Sequence, residues 1–417
     1  MKINEFGKMH IPMKFTWEMT EKCNLNCKMC YSRDCNSDGK KELSTKQSIY
    51  LLNKLEKENV LYMFLDGGEP LLRPDFFELL PLITSRFCTW LSTNGTLIDM
   101  SVAKQIKKSH LNTVFVSLHG SNEKLHDFIT GTEGAYNKTI NGIDALKKEK
   151  VNTMLSCQVS RENIDDVEEY IKLCKFYSIK KINFLRPYPL GNGKQNYEKM
   201  ALSASEYEWF TREIANLCSK YDMNYGHSFG TQNHNCCKQA FSCDSEGKLM
   251  NCPYLRFLPR LGNILTDNLV SVWNSLECMK VREYAENNIE KCAACVNVCE
   301  CQGGCTADRI LGNGKDRICG RENIKYMRNS YVKSGYPRVD LELDIKMFLY
   351  NTRTGKEYAL NSLSTLVWEM LDVPKTEDEI CNFFGKAGIA DSSKALFEVK
   401  KICNLLLELD IISVNYE

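Results

Sequence analysis

The sequence predicts an α/β protein in three parts: a partial (β/α)6 barrel of the TIM type, a cysteine-rich region, and a C-terminal winged-helix-like α+β domain. Between residues 14 and 186, six apolar segments of strand length alternate with amphipathic helical segments. That alternation is typical of a parallel sheet with helical crossovers. The cysteines are the second observation, since eleven of the 21 lie in residues 236–319.

Bulk composition excludes several classes of protein. The chain has 417 residues and a net charge of +1, so no charge excess points to nucleic acid or to an anionic membrane. No apolar run approaches the ~18 residues of a membrane span, and the N-terminus lacks the apolar core of a secretory signal. We therefore expect a cytoplasmic protein, in which clustered cysteines bind metal or carry out redox chemistry more often than they form disulfides.

The barrel is predicted from its strands and helices in order. Ser44 and Gln47 have the spacing of a capping box at the start of the first helix. In such barrels the chemistry lies at the carboxyl ends of the strands, where Cys23, DGGEP, STNG and SLHG follow strands one to four. The strand segments are KFTWEM, VLYMFLD, CTWLSTN, TVFVSLH, VNTMLSCQV and KKINFLRP; the helical ones are STKQSIYLLNKLEKEN, DFFELLPLITSRF, SVAKQIKKSH, NKTINGIDALKKE and NIDDVEEYIKLCKFY.

Four segments are expected along the chain. Residues 1–190 form the barrel, 191–231 a connecting helical segment, 232–330 the cysteine-rich domain and 335–417 the C-terminal domain. The cysteine-rich domain has few periodic segments, so we expect it to lack a large apolar core and to need metal. In the last domain we expect two strands around a turn at Thr354-Gly355, helices near 362–371, 376–385 and 392–409, and a strand in DIISV, with Cys381 and Cys403 in the core.

The first cysteine group has the spacing C-x3-C-x2-C, with Cys23, Cys27 and Cys30 on one loop. Three thiolates hold three irons of a cubane iron–sulfur cluster, which usually has four protein ligands. The fourth iron would be open to a small molecule. A structural zinc site is the alternative, and Cys35 is available as its fourth ligand.

This motif, with Tyr31 directly after it, resembles the radical S-adenosylmethionine (SAM) superfamily, as does GGEP at 67–70. The resemblance covers residues 14 to about 190 and implies a SAM-binding [4Fe–4S] cluster that cleaves SAM to a 5′-deoxyadenosyl radical. It implies that Tyr31 and then Gly67, Gly68 and Glu69 contact SAM, the last three at the methionine amine. It also implies contacts from Thr93, Asn94 and Ser117 to the ribose and carboxylate. The family pattern often has Asp where this chain has His119, so we assign His119 no role.

Four middle cysteines have the spacing Cys292-x2-Cys295-x5-Cys301-x3-Cys305, with Cys237 and Cys252 before them and Cys319 after them. These seven resemble the seven-cysteine SPASM pattern of radical SAM peptide and protein maturases, which implies two auxiliary [4Fe–4S] clusters. Cys236 is the rival of Cys243 as a ligand of the first, an open iron site is the third possibility, and Cys299 is left over. Pro253 stands where sulfatase-type maturases carry an Asp, which disfavours formylglycine chemistry, and Asp244 is expected at a hairpin surface. The implied ligands are Cys237, Cys243, Cys252 and Cys305 for the first cluster and Cys292, Cys295, Cys301 and Cys319 for the second.

The C-terminal domain contains YALNSLSTLVWEMLDVPKTEDEI and then a helix rich in Val and Leu that ends in LLLELDIISV. By this pattern, residues 338–415 resemble the small domain related to the pyrroloquinoline quinone chaperone, called a RiPP recognition element. The resemblance implies that a leader peptide is bound by 335–417 and that the barrel cross-links the precursor, with thioether bonds as the leading product and carbon–carbon or carbon–oxygen bonds next. A flavodoxin or ferredoxin is the implied electron donor. The alternatives are dehydrogenation of a small molecule and a metal-binding winged-helix regulator, although no basic stripe favours DNA contact.

Overall fold

The computed structural model describes most of the chain and divides it into two compact units. The first unit holds the described residues up to 286 together with 304–319, and the second holds those from 329 onward. Among the described helices, none is long and apolar enough to cross a membrane. The residues described are 12–33, 41–227, 240–287, 304–312, 316–319, 329–333, 338–343, 346–351, 356–389, 392–409 and 411–416.

One sheet of ten strands organises the first unit, in the order β10-β9-β8-β1-β2-β3-β4-β5-β6-β7. Strands β1 to β7 pair in parallel with their neighbours, β8 is parallel to β1, and β9 and β10 are antiparallel. The strands are β1 Lys14–Glu18, β2 Tyr62–Asp66, β3 Cys88–Thr93, β4 Thr113–Ser117, β5 Thr153–Gln158, β6 Lys181–Leu185, β7 Asn224–His227, β8 Ala240–Cys243, β9 Lys248–Met250 and β10 Gly262–Asn263.

Helices connect the parallel strands, as the six predicted βα units require. The capping box of Ser44 and Gln47 is present at the start of α1. Helices α4 and α7 and strand β7 were not predicted from the sequence. The helices of this unit are α1 Thr45–Lys57, α2 Phe76–Thr84, α3 Met100–Lys108, α4 Glu123–Thr130, α5 Ala135–Lys148, α6 Val167–Phe176, α7 Gly193–Met200, α8 Ala204–Lys220, α9 Leu269–Trp273, α10 Leu276–Asn287 and α11 Thr306–Leu311.

The core of the first unit lies between the sheet and its helices. Alternate side chains of β3 are buried, since successive residues of a strand point to opposite faces. Phe15 and Trp17 of β1 are fully buried against this core. Each such side chain contributes about 1.5–3 kcal/mol by its burial, so the strand positions are set by packing on the apolar face.

Several described segments of the cysteine-rich region belong to the same core. Strand β8 pairs with β1, and Phe241 and Leu249 of β8 and β9 join the barrel cluster together with Trp273 of α9. The expectation that this region lacks a large apolar core of its own agrees with its described residues, which share the core of the barrel. The reason is that short segments, each too brief to show periodicity, complete a core that the barrel already provides.

The described residues of the second unit form two small sheets and three helices. The predicted strand VDLELDIKMFLYN is two strands, β12 and β13, so the sheet has three strands in the order β12-β13-β14. The turn predicted at Thr354-Gly355 lies outside the described residues. The elements are β11 Asn329–Lys333, β12 Arg338–Leu343, β13 Lys346–Asn351, β14 Lys356–Leu360, α12 Ser362–Met370, β15 Lys375–Thr376, α13 Glu377–Lys386, α14 Ser392–Glu408 and β16 Ile412–Tyr416.

A separate apolar cluster holds this unit together. Trp368 of α12 is fully buried in it with Phe384 of α13 and Cys403 of α14, and Cys381 packs against its side. Strand β11 pairs with β15 and β16, which makes a second sheet of three strands. Both cysteines therefore contribute to the core, as their apolar helical positions predict.

Trp368→Ala should unfold the second unit selectively. Removing a fully buried Trp side chain costs about 3–5 kcal/mol, and the first unit has its own core. Hydrogen exchange measured by mass spectrometry should show lost protection in peptides from 338–416 and unchanged protection in peptides from 41–227. Glu369→Ala, at an exposed position of the same helix, is the control and should change stability by less than about 0.5 kcal/mol. Equal protection loss in both variants would contradict the packing described.

Candidate functional site

A cavity of about 410 Å³ opens at the carboxyl ends of the parallel strands. Its wall takes Asp66 from β2, Thr93 from β3, Ser117 from β4 and Gln158 from β5, and Arg186 follows β6. Parallel strands all end at one edge of a sheet, so the residues that follow them converge there. The cavity lies where the sequence places its conspicuous residues.

The loop after β1 brings Cys23, Cys27 and Cys30 to this cavity, and all three line it. The loop is fixed by hydrogen bonds to two elements that the sequence analysis did not predict. Its Lys28 N–H donates to the Ile129 carbonyl in α4 at 2.9 Å. Beside α7, the amides of Asn192 and Asn196 donate to the carbonyls of Cys27 and Lys28 at 3.2 and 2.9 Å.

The thiols of the loop are in an environment that suits a cationic cluster. Burial raises the pKa of Cys23 and of Cys27, and neighbouring thiols of the loop raise both further. Three thiolates packed together therefore need positive charge, which irons supply. Within the described residues, no three His, Cys, Asp or Glu side chains converge as the ligands of a single metal ion do. A cubane cluster places each thiolate on its own iron, so this donor set fits a cluster.

The glycines of GGEP pack against the backbone of Thr20 to Lys22, directly before the first cysteine of the loop. Gly67 has φ +137°, and a Cβ on Gly68 would lie 2.2 Å from the Lys22 carbonyl oxygen. The Gly68 N–H donates to the Thr20 carbonyl at 2.7 Å, and the Glu69 N–H donates to Lys22 O at 2.8 Å. Only a residue without Cβ fits here, so the turn after β2 and the loop after β1 form one backbone unit.

Glu69 is fully buried, and we do not find its side chain at the cavity wall. Its carboxylate accepts hydrogen bonds from Thr93 Oγ1 at 2.8 Å, from Asn94 N–H at 2.7 Å and from Leu71 N–H at 3.2 Å. Burial raises the pKa of Glu69 to about 7, while these three donors lower it. In the structure, Glu69 therefore joins the turn after β2 to the end of β3, and its contact with SAM remains a prediction.

Thr93 and Asn94 line the cavity at the end of β3. The Asn94 amide donates to Asn24 Oδ1 at 2.9 Å and lies 3.9 Å from Cys23 Sγ. Ser117 lines the cavity from β4. Gly67, Gly68 and Tyr31 line it as well, so the structure brings every residue of the predicted SAM set except the Glu69 side chain to one cavity.

Tyr31 lies in a buried network of charged groups. Its hydroxyl donates to Asp66 Oδ2 at 3.0 Å and lies 3.4 Å from Glu18 Oε1. Arg256, four residues after Cys252, donates to both oxygens of Glu18 at 2.6 and 2.7 Å. Burial raises the pKa of Glu18 to about 7, and Arg256 opposes that shift. The network ties the described cysteine-rich segment to β1 and to the cysteine loop.

Stacked tyrosines form the neighbouring wall. The ring centroids of Tyr31 and Tyr254 are 4.7 Å apart, and those of Tyr254 and Tyr188 are 4.1 Å apart. The Tyr188 hydroxyl donates to Cys305 Sγ at 3.3 Å. Asp316 receives a hydrogen bond from the Cys305 N–H at 2.8 Å. One continuous contact path therefore runs from the cysteine loop to Cys305.

His119, to which the sequence analysis gave no role, lines the cavity. Its Nδ1 accepts a hydrogen bond from the Gln158 N–H at 3.1 Å, which leaves the Nε2 of the neutral ring as a donor. Burial lowers the pKa of His119 to about 3, and the stacked His126 lowers it further. The residue is therefore a neutral hydrogen-bond donor at neutral pH.

Four of the eight predicted auxiliary cysteines are described. Cys252 and Cys305 lie in one apolar cluster with Tyr188, whereas Cys243 is buried in the barrel core, opposite Trp17 in the sheet register. Cys319 is half-buried and its N–H donates to the Asp316 carbonyl at 3.0 Å. Cys236, Cys237, Cys292, Cys295, Cys299 and Cys301 lie outside the described residues, as does Cys35.

Asp244 lies in the hairpin between β8 and β9, as predicted, but it is buried there. Its carboxylate accepts from the N–H groups of Glu246 and Lys248 at 3.1 and 2.9 Å and from Arg260 at 3.2 Å. The predicted surface position is wrong, because a carboxylate that closes a tight turn is enclosed by the backbone it binds.

Comparison with known proteins agrees with the barrel geometry. Residues 17–174 match the model of the Radical SAM superfamily. These residues are similar to a radical SAM domain, and they include the cysteine loop and GGEP.

Relatives extend the similarity beyond the radical SAM domain. Mycofactocin maturase MftC of Mycolicibacterium smegmatis is 29% identical over 318 residues, which cover 72% of this chain and 79% of the relative. AdoMet-dependent heme synthase of Methanosarcina barkeri is 26% identical over 332 residues, covering 73% of this chain and 93% of the relative.

Solved structures share the fold. Streptococcus suis SuiB bound to S-adenosylmethionine superposes with a TM-score of 0.63 at 17% identity, over 76% of this chain and 79% of SuiB. Native anSMEcpe with bound AdoMet has a TM-score of 0.61 at 22% identity, over 73% of this chain and 91% of that one. The fold of about three quarters of this chain is therefore shared with these structures.

Several residues of the site carried no signal in the sequence. Asn192 and Asn196 reach the cysteine loop from a segment that we expected to be a connection, and Arg256 and Tyr254 reach it from the cysteine-rich region. Spacing from Cys252 is the one feature that could have drawn attention to the last two. Their roles depend on contacts between segments more than 150 residues apart in the sequence.

Gly68→Ala should displace the cysteine loop, because the new Cβ would meet a backbone oxygen that has no room to move. We expect iron bound by the reconstituted protein to fall by about four per chain, the content of one cubane, with loss of SAM binding. Iron analysis and equilibrium binding of SAM measure both effects.

Gly385→Ala is the matched control. A Cβ at Gly385, within α13, meets nothing within 4 Å, and Gly→Ala in a helix stabilises by about 1 kcal/mol. Its iron content should equal that of the wild type. Full iron and SAM binding in Gly68→Ala would show that the close approach to Lys22 is dispensable.

Proposed function

We propose that this protein is a radical SAM peptide maturase that cross-links a ribosomally made precursor peptide. The observation that carries the proposal is the cavity at the strand ends, which Cys23, Cys27 and Cys30 line together with Gly67 and Gly68. Similarity to a mycofactocin maturase and the fold shared with SuiB, which has been solved with the precursor peptide SuiA, support a peptide as substrate. Thioether formation is the leading product, and carbon–carbon or carbon–oxygen linkage is next.

The three cysteines of the loop would hold the SAM-binding [4Fe–4S] cluster. When bound and reduced, that cluster supplies the electron that cleaves SAM to a 5′-deoxyadenosyl radical, which abstracts a hydrogen atom from the substrate. Tyr31, Gly67, Gly68, Glu69, Thr93, Asn94 and Ser117 are the proposed SAM contacts. A flavodoxin or ferredoxin in the cytoplasm is the proposed source of the electron.

Two auxiliary clusters are proposed from the resemblance to SPASM proteins. Cys252 and Cys305 share an apolar cluster, which supports their assignment to one auxiliary cluster with Cys237. The fourth ligand of that cluster is Cys243 or Cys236, or the iron is open. Because Cys243 is buried among barrel residues, its ligation would require strand β8 to shift. The second cluster takes Cys292, Cys295, Cys301 and Cys319.

Residues 335–417 are the proposed binding site of the leader peptide. Strands β12 and β14 each pair on one side only among the described strands. An extended peptide that adds to such an edge gains backbone hydrogen bonds, and pockets between its alternate side chains give selectivity. An apolar core that is distinct from that of the barrel supports a recognition unit of its own.

Replacing Cys23, Cys27 and Cys30 together by Ala should abolish formation of 5′-deoxyadenosine. We expect bound iron to fall from about twelve to about eight per chain, since one of three four-iron clusters is lost. Anaerobic reconstitution, iron analysis and chromatography of the nucleoside products measure this. Wild-type iron near four per chain would defeat the auxiliary clusters, and cleavage of SAM that survives in the variant would defeat the radical SAM assignment.

Removing the second unit should separate peptide binding from SAM cleavage. The truncation belongs after residue 320, because β11 pairs with β16 and would lose its partner in a shorter deletion. We expect the affinity for a leader peptide to fall at least about tenfold, a loss of about 1.4 kcal/mol, while uncoupled 5′-deoxyadenosine formation persists. Fluorescence anisotropy of a labelled leader measures affinity. Unchanged affinity would remove the recognition role.

Modification of a small molecule is the second candidate. It is favoured by the similarity to AdoMet-dependent heme synthase and to an Fe-coproporphyrin III synthase of Methanosarcina barkeri, which is 31% identical over 203 residues. That function needs no leader-binding unit. Tight binding of a tetrapyrrole to the full chain, with no peptide modified, would favour it over the maturase.

A further inference from the structure

Asp66 ends strand β2, is half-buried and lines the cavity. The described residues that line the cavity include two carboxylates, those of Glu21 and Asp66. Asp66 lies directly before Gly67, so the same backbone that packs on the cysteine loop fixes its position.

The groups around Asp66 set how readily it takes a proton. The hydroxyl of Tyr31, on the cysteine loop, donates a hydrogen bond to Asp66 Oδ2 at 3.0 Å. Glu18, from β1, is already bound through both oxygens by Arg256, from the segment after Cys252. Glu69 lies in the turn that follows Asp66. Burial raises the pKa of Asp66 above its usual range, while hydrogen bonds from Gly67, Tyr31 and Ser92 and the charge of Arg256 lower it.

The other polar groups of the wall are poor proton acceptors. Nδ1 of His119 is occupied by the Gln158 N–H, and a ring with a pKa near 3 is a weak base. The Glu69 carboxylate is fully buried and receives three hydrogen bonds. Ser117 and Thr93 are neutral hydroxyls. The carboxylates at the wall are therefore those of Glu21 and Asp66, and Asp66 is the one hydrogen-bonded to Tyr31 of the cysteine loop.

We propose that Asp66 is the catalytic base that accepts the proton released when the peptide cross-link closes. This inference rests on the proposed function. Hydrogen-atom transfer to the 5′-deoxyadenosyl radical leaves a carbon radical on the peptide. Bond formation between that carbon and a thiol, hydroxyl or carbon nucleophile then releases one proton and one electron. Asp66 takes the proton, and a one-electron acceptor of the iron–sulfur class takes the electron.

Asp66→Asn tests the proposal in the full-length holoenzyme with its precursor peptide. Asn keeps the size of the side chain and an oxygen for the Tyr31 hydrogen bond but cannot take the proton. We expect cross-linked product per 5′-deoxyadenosine to fall about 10²-fold or more, the usual weight of general base catalysis. Iron content, SAM affinity and 5′-deoxyadenosine formation should stay within about threefold of wild type. Asp144→Asn, at an exposed pair with Lys148 on α5, is the matched control.

The dependence of product per 5′-deoxyadenosine on pH distinguishes a catalytic base from a residue with a structural role only. A base acts when deprotonated, so the wild-type ratio of product to 5′-deoxyadenosine should rise with pH through the pKa of Asp66. That rising limb should be absent in Asp66→Asn. Asp66→Glu should restore product and shift the limb, since it keeps a carboxylate in a changed position.

The outcomes separate this inference from the proposed function. If the wild type forms 5′-deoxyadenosine but modifies no peptide at any pH, the maturase proposal fails and takes the inference with it. If the wild type cross-links the peptide and Asp66→Asn keeps the wild-type ratio of product to 5′-deoxyadenosine and its rise with pH, Asp66 is not the base. Loss of product in Glu21→Gln with retention in Asp66→Asn would assign the role to Glu21. If Asp66→Asn binds no SAM, Asp66→Glu decides. The proposal is overturned if its ratio of product to 5′-deoxyadenosine rises over the same pH range as that of the wild type.

Discussion

The backbone contact between the turn after β2 and the loop after β1 is the constraint on which the site depends. Two hydrogen bonds, from the Gly68 and Glu69 N–H groups to the carbonyls of Thr20 and Lys22, hold the two segments together. The contact exists because neither glycine carries a Cβ. It sets where the cysteine loop begins, and it fixes the backbone beside Asp66, which lines the same cavity. A cofactor site and a candidate proton acceptor therefore share one rigid piece of backbone.

Buried ion pairs connect the cysteine-rich segment to the ends of the barrel strands. Arg256 binds Glu18 at the end of β1, and Arg186 binds Asp316 at 2.7 Å with both side chains almost fully buried. Buried charges are costly unless they are paired and hydrogen-bonded, and here each pair is further bonded to the backbone or to a tyrosine. Removing one partner would leave an uncompensated charge, so these pairs specify how the segment around Cys252 and Cys305 lies on the barrel.

Sequence patterns predicted the barrel more completely than the units around it. Six strands and their crossover helices follow from periodicity, because an element that buries one face has apolar residues at regular intervals in the sequence. Helix α7 was not predicted since its polar residues, Asn196 among them, bond the cysteine loop rather than leave an apolar face. Strands β12 and β13 were joined into one because an apolar alternation continues across the reversal between them. In the cysteine-rich region, short strands such as β8 pack in the core of the barrel. They are too short to show a periodic pattern in the sequence.

The sequence by itself determined the chemistry of the site: the cysteine spacing, the two glycines and the polar strand ends follow from residue types at short range. Tertiary structure alone decided which side chains face the cavity. Glu69, prominent in the motif, is buried and binds backbone N–H groups, whereas Asp66 and His119 form the wall. The physical reason is that motif spacing records local backbone needs, while access to a ligand depends on contacts among strand ends far apart in the chain.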